Sequence, residues 1–200
     1  MLEEELWEQG YKRIGGVDEA GRGPLAGPLV ASCVILPPGF HLPGLRDAKK
    51  LSPLERRRIF DLLCTHALAI GVGVLGERWI DVLGIQKANQ FVFKEAIRRV
   101  FLRQSPDFLI LDWWKIPSLT VPYLALAHAE EQSISVASAS IVAKVVRDQM
   151  MEEFYHPLFP QYGFVQHKGY GTTFHRKQIE RWGLSSCHRR SFCQRGGKVF

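Results

Sequence analysis

The sequence predicts an α/β domain built on a mixed central β-sheet flanked by helices. Three observations predict it. Three hairpin-like strands fall between Ile14 and Leu75, and a continuously apolar run at 106–112 suits a strand covered on both faces. Helical periodicity occupies most of the remainder. Two hundred residues, 46% of them hydrophobic, suit a single domain over 1–200. Its core is expected over about 12–155, with a basic, helical C-terminal extension over 156–200.

Ile14 to Glu19 reads as the first strand and ends in two adjacent carboxylates. Leu25 to Leu36, apolar with small residues and closed by Pro37-Pro38, reads as the second. A helix follows, with Ser52 as N-cap, Pro53 at its first position and Glu55 at its third, running to about Thr65. Ala67 to Leu75 suits a third strand. Glu77 to Arg103 carries a helical repeat through Ile80, Leu83, Ala88, Phe91, Ala96 and Val100, which Gly84 can break in two. The strand at 106–112 ends in Asp112, and Val121 to Ala127 suits another short one. Ser138 to Phe154 reads as a helix, small-residued at first, which allows close packing on a sheet. A proline-interrupted loop at 155–162, a glycine-flanked loop at 166–173, a helix at 173–183 and an irregular basic tail complete the chain.

A net charge of +6 favours a polyanionic partner, and the basic residues cluster at 46–58, 98–103 and 167–198. No window has the apolar length of a membrane span, and the acidic N-terminus lacks the pattern of a signal peptide. A soluble, cytoplasmic monomer without membrane contact is expected. Of the four cysteines, Cys33 and Cys64 lie in apolar runs and read as small buried hydrophobes. Cys187-His188 and Cys193 match no standard zinc spacing, and a reducing compartment argues against disulfides.

The chemistry centres on Gly15 to Pro24. On a strand, Asp18 and Glu19 point to opposite faces, so one lines a cleft and the other reaches over the strand end. Gly21 and Gly23 lack a Cβ and let a ligand backbone approach, with Arg22 between them. Asp112 closes an apolar strand, and Asp148 sits on the small-residue helix. Four such acids meeting without cations repel one another, whereas Mg²⁺ or Mn²⁺ relieves the repulsion. In a basic protein this points to two-metal phosphodiester hydrolysis: one ion generates the attacking hydroxide and the other stabilises the leaving 3′ oxygen. Asp112 otherwise reads as a solvated strand-end acid, and Asp148 as an exposed helix acid beside Arg147. Lys49 and Lys50 precede a helix N-terminus and suit backbone phosphates. Tyr170 suits stacking on a sugar or base.

Five segments resemble bacterial ribonuclease HII, in that family's order and over nearly the whole chain. They are Asp18 to Pro24, Asp47 to Ser52, Ala139 to Asp148, His167 to Thr172 and His188 to Phe192. The resemblance implies an RNase H-like fold with a C-terminal helical extension. It implies Mg²⁺- or Mn²⁺-dependent cleavage of RNA in RNA–DNA hybrids, and incision 5′ to a ribonucleotide embedded in duplex DNA, with 3′-hydroxyl and 5′-phosphate products. By motif, Asp18, Glu19, Asp112 and Asp148 map to the metal-binding carboxylates. Gly21, Arg22 and Gly23 map to the loop that senses the 2′-hydroxyl. Lys49 and Lys50 map to backbone contacts, and Tyr170 maps to the tyrosine at the RNA-to-DNA junction. The sequence departs from the family pattern at Ala48 (often serine), at Trp113-Trp114 (usually a glycine-containing turn) and at Ala129-Glu130 (usually Gly-Asp).

Overall fold

The computed structural model describes residues 1–41, 45, 51–195 and 198–199. A five-stranded sheet forms its centre, in the order β3-β2-β1-β4-β5. The strands are β1 (Ile14–Ala20), β2 (Leu29–Ile35), β3 (Ala69–Leu75), β4 (Phe108–Asp112) and β5 (Tyr123–Leu126). β1, β2 and β3 pair antiparallel, while β4 runs parallel to both β1 and β5. The expected mixed sheet is therefore present, with β1 and β4 as central neighbours.

Helices cover both faces. α3 (Glu77–Phe101) packs on one through Val92, Phe93, Ala96 and Val100, against Val17, Ala31, Cys33, Leu109 and Leu111. α2 (Pro53–His66) and α4 (Ile134–Gln149) cover the other through Ile59, Leu63, Ile141 and Val142, against Val34. The capping box at α2 forms as the sequence predicts: the Glu55 amide donates to Ser52, whose own amide donates back to Glu55. Gly84, with φ 72° and ψ 156°, leaves the helical conformation and divides α3 into two helices across a kink, as the sequence reading allows.

Three boundaries differ from the sequence reading. α4 begins four residues early, because Ser133 caps it by accepting from the Val136 amide. The acidic N-terminus folds into α1 (Leu2–Glu8), and Glu3 is buried where it accepts hydrogen bonds from Ser133 Oγ and from the Ser135 amide and Oγ. A carboxylate there complements the positive end of α4. The 155–162 loop is instead a π-turn (Met150–Tyr155), α5 (His156–Leu158) and a 3₁₀ turn (Pro160–Tyr162). Then come α6 (Phe164–His167), α7 (Thr173–Trp182), α8 (Arg190–Cys193) and the small hairpin of β6 (Gln194–Arg195) and β7 (Lys198–Val199). The tail is thus more ordered than its composition suggests. No helix among the described residues is long and apolar enough to cross a membrane.

β1 lies against the backbone of α4 at Gly16, where an added Cβ would stand 2.1 Å from the Ser135 carbonyl carbon. Gly16→Ala is expected to push helix and strand apart and to cost about 1–3 kcal/mol, as overpacking does. Gly23→Ala, whose methyl meets no atom within 4 Å and whose φ is not left-handed, should change stability by roughly 0.5 kcal/mol or less. Urea denaturation of both variants checks the contrast.

Candidate active site

Alternation along β1 sends its two acids to opposite faces, as the sequence predicts. Asp18 faces α4 and is hydrogen-bonded by Ser140; Glu19 faces α3 and lies beside Asn89. Asp112 follows directly on the Val17–Leu111 pair and so stands beside Asp18 at the ends of two parallel strands. Its Oδ1 accepts from the Ala129 amide at 2.9 Å. The Glu130 carboxylate, buried on the 3₁₀ turn Ala129–Glu131, acts on Asp112 in turn.

Crowding shows in the acidities. Burial lifts Asp18 well above the usual carboxylate range, and the charges of Glu19 and Asp112 lift it further. Burial pushes Glu19 up to about 7, opposed by the Asn89 amide and then by Arg22. Asp112 is raised by burial, against the pull of the Ala129 amide, and by Glu130. The cation nearest Glu19 is Arg22, with its Nε 3.6 Å from Oε1 and its guanidinium 5.0 Å above the Trp114 ring.

Two buried arginines shape the loop after β1. Arg147 of α4 donates to the carbonyls of Pro28 and Ala26, at 2.9 and 3.2 Å. Arg189 donates to those of Gly27, Pro28 and Arg22, at 2.9, 2.9 and 3.1 Å. Gly21 has φ 100°, and a Cβ there would stand 2.2 Å from Arg147 Nε, so no other residue fits this corner. The Tyr170 loop docks alongside, with the Leu25 amide donating to the Gly169 carbonyl at 2.9 Å. Beneath it runs a chain of histidines: His188 and His175 meet Nε2 to Nε2 at 3.1 Å, and His175 Nδ1 lies 2.9 Å from the Tyr170 carbonyl. The Ser185 amide donates to His188 Nδ1, so His188 Nε2 carries the proton that His175 Nε2 accepts. Burial lowers both rings to about 4 and keeps them neutral.

These parts border an open cleft of about 420 Å³, lined by Glu19, Gly21, Arg22, Gly23, Arg56, Ser140, Lys144 and Tyr170 among others. The Tyr170 ring is 42% exposed, with Lys144 Nζ and the Arg147 guanidinium each 5.8 Å from its centre. A buried acidic cluster beside a cationic cleft with an exposed aromatic suits a metal-assisted attack on a nucleic-acid backbone.

Comparison with known proteins agrees. The ribonuclease HII family model matches residues 15–195. The chain belongs to the ribonuclease HII family. The ribonuclease HII of Syntrophus aciditrophicus is 47% identical over 96% of this chain and 89% of its own. That of Bacillus mycoides is 44% identical over 95% of this chain and 72% of its own. The crystal structure of ribonuclease H2 from Pyrococcus horikoshii superposes with a TM-score of 0.78 at 23% identity, over 90% of this chain and 93% of that one, which shows the RNase H-like fold. Membership makes the protein a metal-dependent endoribonuclease, a phosphodiester hydrolase.

Seen as a ribonuclease HII, the structure brings Asp18, Glu19 and Asp112 together. It places Asp148 elsewhere: eight residues beyond Ser140, about 12 Å further along α4, where Lys144 donates to it at 2.7 Å. Glu130 is the acid that sequence reasoning missed. Its signal was positional, since Ala129-Glu130 stands where the family usually has Gly-Asp. His128, Glu130 and Glu131 also bring ligand atoms within 4.8 Å of one another. Lys49, Lys50 and the rest of the 46–50 motif lie outside the described residues. Cys64 is exposed rather than buried, whereas Cys33, Cys187 and Cys193 are buried, and all four are free thiols. Trp113 is exposed and left-handed, with φ 64°, at the corner after Asp112.

The donor set fits a hard divalent ion: it is all carboxylate oxygen, and its buried negative charge exceeds what Arg22 can balance. An ion needs Glu19 charged, so below pH 7 it must displace a proton. Mg²⁺ affinity is therefore expected to rise from about pH 6 to 8 with net proton release. Calorimetric titration in buffers of differing ionisation enthalpy measures both.

Proposed function

We propose that this enzyme hydrolyses RNA in RNA–DNA hybrids and nicks duplex DNA 5′ to an embedded ribonucleotide, leaving 3′-hydroxyl and 5′-phosphate ends. Asp18, Glu19, Asp112 and Glu130 would hold two divalent ions, Mg²⁺ or Mn²⁺. Glu130 takes the fourth place that motif reasoning gave to Asp148. The observation that carries the reading is the meeting of acids from β1, β4 and the turn before α4, several with raised pKa, of which Glu19 lines a cleft that also presents Arg22, Arg56, Lys144 and Tyr170. When bound, the ions supply Lewis acidity to a water and to the leaving 3′ oxygen.

The chain's own residues do the rest. Gly21, Arg22 and Gly23 present main-chain groups to the nucleotide, held still by Arg147 and Arg189. A 2′-hydroxyl both donates and accepts, and reading it through the main chain is indifferent to the base. Tyr170, on its histidine-supported loop, packs against the next sugar and favours a deoxyribose there. Lys49, Lys50, Arg56 and Lys144 contact backbone phosphates, where Lys144 is held ready by Asp148.

Asp18→Asn and Glu130→Gln are each expected to cut turnover by roughly 10²-fold or more while leaving substrate affinity near normal. Asp148→Asn should stay within about fivefold. Steady-state cleavage of a duplex with one ribonucleotide, beside binding in chelator, separates the outcomes; loss of activity in Asp148→Asn alone would return the fourth site to α4. Tyr170→Ala should hurt a single embedded ribonucleotide more than a long hybrid, and equal losses on the two substrates would remove the junction role.

A further inference from the structure

Asn89 is fully buried on α3, and neither its Nδ2 nor its Oδ1 has a hydrogen-bond partner among the described residues. Its helical neighbours Val92, Phe93 and Ala88 are buried and apolar. An amide in such a place costs about 1–3 kcal/mol relative to a satisfied one, and asparagine is a poor helix former besides. Packing alone gives it no reason to be there. What lies beside it does: α3 sets Asn89 against Glu19. One Glu19 oxygen, Oε1, lies toward Arg22. The other, Oε2, is buried and also lacks a partner. Two complementary polar groups thus lie side by side in the interior, close enough for the Asn89 amide to favour the Glu19 carboxylate but short of ordinary hydrogen-bond geometry.

We propose that Asn89 is a positioning residue for Glu19, with its amide closing onto the charged carboxylate, directly or through one water, when a divalent ion is held. The inference rests on the metal-site reading above. Arg22 and Asn89 then grip Glu19 from two sides and fix the direction in which it offers an oxygen. A hydrogen bond to a carboxylate that is ligating a cation is charge-assisted, and such a bond is about twice as strong as a neutral one. The buried amide is a stability cost of the apo protein that is recovered when the ion binds.

The test is calorimetric titration of Mg²⁺ and Mn²⁺ into the full chain, beside thermal melting without metal. Asn89→Leu keeps the branched outline of the side chain and removes the amide. It is expected to weaken ion binding about tenfold while melting no lower than the parent, because an unpaired buried group has gone. Asn89→Thr, which keeps a donor, should recover most of the affinity. In a Glu19→Gln background, Asn89→Leu should weaken binding no further. Unchanged affinity in Asn89→Leu, equal loss in Asn89→Thr, or additive losses with Glu19→Gln would each overturn the proposal. Should Asn89→Leu melt much lower, the comparison of Asn89→Thr with the parent decides by the same affinity criterion. Parental affinity in Glu19→Gln itself would instead overturn the metal-site reading.

Discussion

The site depends on two guanidinium groups buried behind the loop that follows β1. Arg147 and Arg189 between them satisfy the carbonyls of Arg22, Ala26, Gly27 and Pro28. A loop so bent, with left-handed glycines at 21 and 27, has only an isolated bridge from Ala26 to His188 in place of a full ladder, and unpaired buried carbonyls are expensive. Two fully buried cations are expensive as well. Each cost offsets the other: the arginines replace lost water with carbonyl dipoles, and the loop gains a rigid rear wall. With that wall in place, the loop from Gly21 to Pro28 is held from behind at several of its carbonyls.

In front of the wall the electrostatics reverse sign. Four acids gather at the ends of two parallel strands and on one short turn, and burial makes at least Asp18, Glu19 and Asp112 reluctant to ionise. Among the described residues no lysine is paired with them; Lys144, which lines the same cleft as Glu19, is engaged by Asp148 instead. The arrangement is poised for an external cation, and the same helix α4 supplies Ser140 to Asp18, Lys144 to the cleft and Arg147 to the wall. Close approach at Gly16 keeps that helix in register with β1.

Much of this was legible in the chain. The short apolar run that ends at Asp18 and Glu19, the capping box at Ser52–Glu55 and the glycine kink at 84 are local signals, and local physics decided them. The Asp18 to Gly23 segment was readable because a strand end, two acids and two glycines admit few arrangements. Less legible were residues whose role depends on distant partners. Arg147 and Arg189 carry the composition of a solvated surface, and only the fold reveals the carbonyls they meet. Glu130 sits next to the exposed Glu131 in a polar turn, and nothing nearby marks one acid as buried. Asp148 drew attention through its motif, yet two helical turns separate it from the residue that touches Asp18. Asn89 lies within an apolar helical repeat and reads as an interruption until its neighbour across the sheet is known.

The grip of Arg189 also orders events in time. The carbonyl of Gly27 waits for a side chain that comes 162 positions later, and the Tyr170 loop waits for His188, 13 positions beyond His175. During synthesis the sheet and its first helices can collapse well before either arrives. The acids are then gathered while the loop after β1 still lacks its rear wall. A newly made chain therefore assembles its acidic cluster before Arg189 arrives to fix the loop beside it.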